Sequence, residues 1–270
     1  MVLVQRDGRE HTLSHFNVDD FMTSEDLAVV ETTRKNGIGV MKSVLSQDEV
    51  EAVRVEFEQA HLDLGKGLGT PGVRDSTGGE QLLAYPALAA LYSHPRIMGV
   101  VSSMLNEPVP WVWQVKTNRY TPQHTGVRKH TDGFLGEVAP PFTRQAMAVF
   151  LDDIDAESGA LTYVPGTHYL HFECSDDSDR LAPTQEDIDA GDYVSTSLKA
   201  GDVVFRVPEV WHAVIPIHRL RRYVTGSYSI RGRMSDVMEA RVKQEVERRE
   251  QISLDLIPER LRPYWLWERL

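Results

Sequence analysis

The sequence predicts a β-rich body behind a helical front, and three observations carry that prediction. Up to about residue 105 the apolar side chains recur at helical intervals behind recognisable caps. From Trp111 onward the pattern changes to short runs of period two bounded by Pro and Gly, as strands require. At 270 residues, 41% hydrophobic and 26% charged, the chain can bury one substantial core, so a single domain over residues 1–270 is expected.

In order, residues 24–35 read as a helix stopped by Asn36-Gly37, and Ile38-Gly-Val-Met41 as a short apolar strand. Ser46-Gln-Asp-Glu49 has capping-box spacing ahead of Val50, Val53, Phe57 and Leu64. Pro95 suits the first turn of a further helix, whose apolar residues Ile97, Val100, Val101, Met104 and Leu105 end before Asn106-Glu-Pro108. This makes residues 1–108 largely helical. Strands are expected at 111–120, 144–151, 160–164, 202–207, 212–217 and 222–230, within a β core spanning 109–232. An insertion at 170–198 interrupts them. Its stretch 173–192 carries eight acidic side chains against Arg180 and reads as a surface insertion or lid. A charged helix over 235–252 and a tail ending Pro263-Tyr-Trp-Leu-Trp267 fill residues 233–270.

Bulk properties exclude several roles. The balance of 29 basic against 40 acidic side chains, a net charge of -11, argues against nucleic acid as a partner. The N-terminus does not resemble a signal peptide, and no stretch approaches the roughly 18 apolar residues of a membrane span, so a soluble cytoplasmic protein is expected, monomeric or homodimeric. Cys174 is the only cysteine. A metal site would therefore rest on His and carboxylate ligands.

The strand at 111–120 presents Trp111, Trp113 and Val115 on one face and Gln114, Lys116, Asn118 and Tyr120 on the other. The polar face meets either solvent or the inside of a ligand-holding barrel, and the pattern leaves both open.

His130-Thr131-Asp132 follows the Pro122 turn, and His212 lies on a later strand beyond Pro208. Two imidazoles and one carboxylate on one face of a metal leave three adjacent positions open, the arrangement used by iron(II) oxygenases. A structural zinc site would close with four ligands. In a chain with 10 histidines an H-x-D triplet arises by chance, so the surroundings matter. Ser158-Gly-Ala-Leu-Thr-Tyr-Val-Pro-Gly-Thr-His168 places a strand and tight turn between the ligands, and Ala200-Gly-Asp-Val-Val-Phe205 launches the strand that leads to Trp211-His212. Arg221-Arg222 opens the next strand, where a guanidinium can bind a carboxylate in bidentate fashion.

Taken together and in order, these residues resemble the phytanoyl-CoA dioxygenase family of iron(II)- and 2-oxoglutarate-dependent oxygenases over roughly residues 24–230. Gly37 through Val50 looks like that family's strand and capped helix, His94-Pro-Arg-Ile97 like its second helix, and Gly159 through His168 like its Gly-x-Leu-x-x-x-Pro-Gly-Ser-His stretch. The resemblance implies a double-stranded β-helix, a cupin-like jelly roll with N-terminal helices packed on one sheet. It also implies iron(II) held by His130, Asp132 and His212, oxygen as oxidant, and 2-oxoglutarate bound by Arg221 with Gln114, Lys116 and Asn118 on the strand facing it. The nine-residue spacing from His212 to Arg221 leaves Arg222 as the alternative anchor. Ala213-Val214 replaces the Gly-Ser that often follows the distal histidine, removing a possible hydroxyl contact to the co-substrate.

The implied reaction is hydroxylation of a C–H bond in a small metabolite, such as a natural-product intermediate or amino acid, with release of succinate and carbon dioxide. Desaturation, cyclisation or epoxidation differ only by substrate placement. A non-catalytic cupin-like barrel would lack a ligand or the cationic anchor, a halogenase would lack Asp132, and a zinc hydrolase would give Arg221 no role. Strand position nominates Phe134, Arg144, Arg206 and Trp211, besides Gln114, as substrate contacts.

Overall fold

The computed structural model describes residues 2–6, 9–13, 22–67, 69–133, 141–172, 183–232 and 236–267. In chain order the elements are β1 (Val2–Arg6), β2 (Arg9–Leu13), α1 (Ser24–Asn36), β3 (Ile38–Met41), α2 (Gln47–Asp63), β4 (Arg74–Gly78), α3 (Pro86–Leu91) and α4 (Pro95–Leu105). There follow β5 (Trp111–Tyr120), β6 (Val127–His130), β7 (Arg144–Phe150), β8 (Leu161–Tyr163), α5 (His168–Phe172), α6 (Gln185–Ala190) and β9 (Val194–Ser195). The chain continues through β10 (Val203–Arg206), β11 (His212–Val214), β12 (Arg221–Ser229), α7 (Asp236–Glu250) and α8 (Arg262–Trp265).

The expected cap at Ser46 forms, and Thr23 supplies a second one. Thr23 and Ser46 each accept from the third backbone N–H of their helix while the acid at that position, Asp26 or Glu49, accepts from the cap. Helix α1 stops at Gly37, whose φ of +81° a side chain would strain; a Cβ there would also meet Val210 Cγ2 at 2.6 Å. Helix α4 starts on Pro95 and buries Ile97, Val100, Val101, Met104 and Leu105.

The strands form two facing antiparallel sheets, ordered β3-β10-β7-β12-β5-β4 and β6-β11-β8-β9, beside a separate β1-β2 hairpin. This is the jelly-roll architecture, with the N-terminal helices packed on the outer face of the larger sheet. Period two sorts its residues. Val203 and Phe205 join the helix-side core while Val204 packs with Ile38, Phe150 and Leu161 on the inner side. The front of the chain is less helical than its apolar periodicity suggests, because β4 adds an edge strand to β5. Arg-Asp-Ser-Thr-Gly has no apolar alternation to announce it: Thr77 is its only buried residue.

The aromatic face expected on β5 does not hold together. Its pairing to β12 passes from Gln114↔Ser227 to Val112↔Tyr228, so Trp113 is an extra, bulged residue. Val112 and Val115 therefore both enter the helix-side core, and Trp113 turns into the space between the sheets. The bulge has a support. Arg249 of α7 lies 3.8 Å from the Trp265 ring centroid and 4.8 Å from that of Trp111, and donates to the carbonyls of Val112 at 2.8 Å and Trp113 at 2.9 Å. Glu245, one turn earlier, accepts from its Nε at 2.7 Å.

Arg249→Leu keeps the aliphatic packing but strands the carbonyls of Val112 and Trp113, so it is expected to lower unfolding free energy by about 2–3 kcal/mol. Urea denaturation followed by tryptophan fluorescence reads this directly. A midpoint unchanged from wild type would show that the bulge does not depend on Arg249.

Candidate metal centre and cavity

His130 ends β6 and His212 begins β11, and the two face each other as a register pair. Each ring is oriented by a carbonyl two residues earlier: His130 Nδ1 donates to Arg128 at 2.8 Å and His212 Nδ1 to Val210 at 2.9 Å. A carbonyl only accepts, so Nδ1 carries the proton in both rings and Nε2 keeps its lone pair for a metal. Asp132 is brought in by the turn after β6. Its backbone N–H donates to the Pro208 carbonyl at 2.9 Å, as do Gly133 N–H at 3.1 Å and the Thr131 hydroxyl at 3.0 Å. One proline carbonyl thus clamps the H-x-D turn to the segment that leads into His212.

The three ligand atoms lie within 4.8 Å of one another, with His130 Nε2 3.4 Å from Asp132 Oδ1 and His212 Nε2 4.0 Å from Asp132 Oδ2. Burial alone would raise the Asp132 carboxyl, but the Arg206 guanidinium and the two imidazoles outweigh it and hold Asp132 well below the carboxylate range. Burial, joined by the Arg206 charge, keeps His212 far below its ordinary value. At neutral pH the cluster is therefore one carboxylate and a neutral distal imidazole, the protonation that divalent metal binding requires. Arg206 reaches it from β10, donating to Asp132 and to His212 Nε2 at 2.7 Å.

The cluster opens into a cavity of about 460 Å³ between the sheets, a size suited to a small molecule. Gln114, Lys116, Asn118 and Tyr120 all line it, so the polar face of β5 meets an interior space. Arg221 enters from β12 with 3% exposure, its guanidinium 4.5 Å from the Tyr223 ring centroid, 5.2 Å from Phe150 and 5.3 Å from Tyr120. Its Nε and Nη1 have no hydrogen-bond partner among the described residues. Gly159 makes room for it: at φ +69° its absent Cβ would stand 3.0 Å from Arg221 Cδ. Arg222 points the opposite way, held by Asp152 at 2.7 Å and Glu58 at 3.0 Å.

The remaining nominated residues divide. Asn118 is committed locally, its Oδ1 accepting from Arg74 at 2.8 Å and Ser76 at 2.9 Å. Arg144 lines the cavity and pairs with buried Glu209 at 2.6 Å. Trp211 corrects the expectation: alternation turns it away from the cavity, and its indole N–H donates to His171 Nε2 at 2.9 Å behind the metal cluster. Phe134 lies outside the described residues, as does 173–182 of the acidic insertion, of which 185–190 form α6. Sequence reasoning missed Arg74, Trp113 and Tyr223. Only Tyr223 carried a signal, standing two residues after Arg221 on the same face.

The Pro165-Gly-Thr-His168 turn ties the minor sheet to the helical front. Gly166 N–H donates to the Asn36 carbonyl at 3.0 Å, His168 Nε2 lies 2.8 Å from the Arg34 carbonyl, and Thr167 Oγ1 accepts from Trp211 N–H at 3.0 Å.

A family model described as phytanoyl-CoA dioxygenase (PhyH) matches residues 33–217. Among solved structures, the chain resembles SnoK, a non-haem alpha-ketoglutarate-dependent carbocyclase from nogalamycin biosynthesis, at 22% identity and TM-score 0.63 over 83% of this chain and 91% of that one. AviO1 from Streptomyces viridochromogenes Tue57 matches at 19% identity and TM-score 0.61, over 77% and 96%. HygX from Streptomyces hygroscopicus, with nickel and 2-oxoglutarate bound, matches at 18% and TM-score 0.59, over 77% and 87%. At these identities the likeness is one of fold. No curated protein sequence matches the chain.

Burial, with the charge of His168 adding to it, pushes His171 down to about 4, and this ring must stay neutral to accept from Trp211. A histidine depressed in the folded state binds its proton more readily unfolded, so its stabilisation is complete above about 6.5 and is lost as pH falls from there toward 4. The expected cost of going from pH 7 to 4.5 is roughly 2–3 kcal/mol for this ring. Denaturation midpoints across that range, in wild type and in His171→Gln, test it; an identical pH dependence in the two proteins would refute the assignment.

Proposed function

The chain belongs to the phytanoyl-CoA dioxygenase family, and from that premise we propose that it is an iron(II)- and 2-oxoglutarate-dependent oxidoreductase acting on a small molecule. In this reading His130, Asp132 and His212 hold the metal and Arg221 binds the far carboxylate of the co-substrate. The observation that carries it is the pairing of a two-histidine, one-carboxylate cluster with a buried cavity arginine whose Nε and Nη1 lack partners.

The donor set fits. Two Nε2 lone pairs and an ionised carboxylate suit a divalent ion that must keep positions open for other ligands. When bound, iron with 2-oxoglutarate and oxygen supplies a two-electron oxidation of the substrate, coupled to loss of carbon dioxide and formation of succinate. The protein's own part is orientation and exclusion. Pro208 and the two backbone carbonyls fix the ligands. Arg221 offers a planar fork to a carboxylate from within a ring of Tyr120, Phe150 and Tyr223, where little water competes for it. Ala146, Ala148, Thr225 and Ser227 are small and leave the floor clear, while Leu161, Val204 and Val214 give the lining an apolar part. Hydroxylation of a C–H bond is the outcome we assign, because it asks least of substrate placement. The names of similar structures include a carbocyclase and an epimerase, so this fold serves other outcomes as well. A zinc hydrolase would leave Arg221 without a role, and a non-catalytic barrel would not need the full ligand set.

Screening small metabolites by oxygen consumption and succinate release identifies turnover. His130→Ala and His212→Ala are each expected to abolish it together with stoichiometric iron binding; full activity without either ring would sink the metal assignment. Arg221→Ala should raise the 2-oxoglutarate requirement by a factor of about 30, the equivalent of about 2 kcal/mol for a lost charge-assisted contact. Arg222→Ala should instead lower the unfolding midpoint, since it breaks the links to Asp152 and Glu58. The reverse ranking on 2-oxoglutarate would exchange the roles of the two arginines.

A further inference from the structure

The protein is acidic, with a net charge of -11, yet its cavity is cationic. Arg74, Lys116, Arg144, Arg206, Arg221 and Arg241 line it, and Asp132 is the one carboxylate in the lining among the described residues. Several of these cations are already occupied. Arg144 has Glu209, Arg74 has the amide oxygen of Asn118, and Arg221 is assigned to 2-oxoglutarate.

Lys116 and Arg206 stand apart. No hydrogen bond or ion pair joins the Lys116 ammonium to any described residue. Burial and then the charge of Arg74 push it below its usual range. Among the described residues Arg206 donates only to Asp132 and His212. A metal ion takes the His212 Nε2 lone pair, which serves a metal or a guanidinium but not both, so Arg206 then keeps only the Asp132 oxygen that the metal leaves and has donors to spare. The sheet register sets the two cations on adjacent rungs of one cavity floor. One rung runs Lys116, Thr225, Ala148, Val204 and the next Gln114, Ser227, Ala146, Arg206. Three strand spacings and one two-residue step along the strand, about 16 Å in all, separate their backbones across small side chains.

Resting on the function proposed above, we propose that the substrate carries an anionic group, a carboxylate or phosphate ester, bound by Arg206 and Lys116 beside the metal centre. The two carboxylates of 2-oxoglutarate are taken by the metal and Arg221. A second anion offsets the charge that remains, and a cationic substrate is repelled by it.

The test uses the full chain with nickel(II) in place of iron, to stop turnover, and saturating 2-oxoglutarate. Benzoate, phenyl phosphate and neutral benzamide are titrated in by calorimetry, and again with nickel present but without co-substrate. Both anions, or one of them, should bind and benzamide should not; whichever anion binds tighter names the group. Arg206→Gln and Lys116→Gln should each weaken that anion by about tenfold or more, about 1.4 kcal/mol, and by much more than they weaken 2-oxoglutarate. Arg221→Gln should show the opposite order, and Arg206→Lys should recover part of the anion affinity. Benzamide binding as tightly as the anions, no anion binding, or an unchanged preference in both Gln variants overturns the proposal. Failure of 2-oxoglutarate to bind would remove the co-substrate reading instead, while the titrations without it still judge the anion site.

Discussion

Strand β12 is hydrogen-bonded on both sides, to β5 and to β7, and that double pairing settles which of its residues see the cavity. A central strand cannot slip by one residue without exchanging its two faces. A slip here would pull Arg222 away from Asp152 and Glu58, turn its guanidinium into the cavity, and drive Val224 out of the helix-side core. The cost of that exchange is what keeps Arg221, Tyr223, Thr225 and Ser227 inward. Everything at the floor of the cavity inherits its position from this phase: Lys116 through Thr225, Gln114 through Ser227, and Arg206 through Ala146.

The metal cluster is set by a different device. Strands β6 and β11 are short, so pairing alone gives them little rigidity. Order comes from backbone carbonyls. Pro208 gathers three donors from the turn that carries Asp132, and Arg128 and Val210 each orient an imidazole. The Gly166 turn then docks this sheet on the end of α1, where Gly37 permits an approach that a Cβ would block. The helical front is thereby a fixed wall for the site as well as a cover for the larger sheet.

Much of this was legible in the sequence, and the reason differs from one part to the next. The Asn36-Gly37 stop, the Ser46 capping box and Pro95 announce α1, α2 and α4 because helix ends are local chemistry. The metal residues announce themselves by type and order, and the choice of Arg221 by resemblance. What escaped depends on contacts distant in sequence. Trp113 leaves its alternating face because Arg249, well over a hundred residues later, grips the carbonyls of the bulge. Strand β4 escapes because an edge strand whose inner face looks into a polar cavity needs no apolar alternation, and with it went Arg74. Trp211 was misplaced for the simplest reason: a neighbour of a cavity residue on a strand faces away from the cavity.

Charge gives the last constraint. Several cations around one cavity repel each other, and the fold answers with more than one kind of partner. Aromatic faces surround Arg221, a neutral amide takes Arg74, a buried carboxylate takes Arg144, and a metal ligand takes Arg206. Only the last of these partners is one that ligand binding would reclaim. The acidic exterior lowers the cost of holding these cations at long range, but solvent screens it beyond about 10 Å, so it cannot satisfy them locally. A cavity built in this way is less stable empty than filled with negative charge. The electrostatics of the fold thus favour the same chemistry that the register of β12 and the carbonyl-oriented ligands arrange in space.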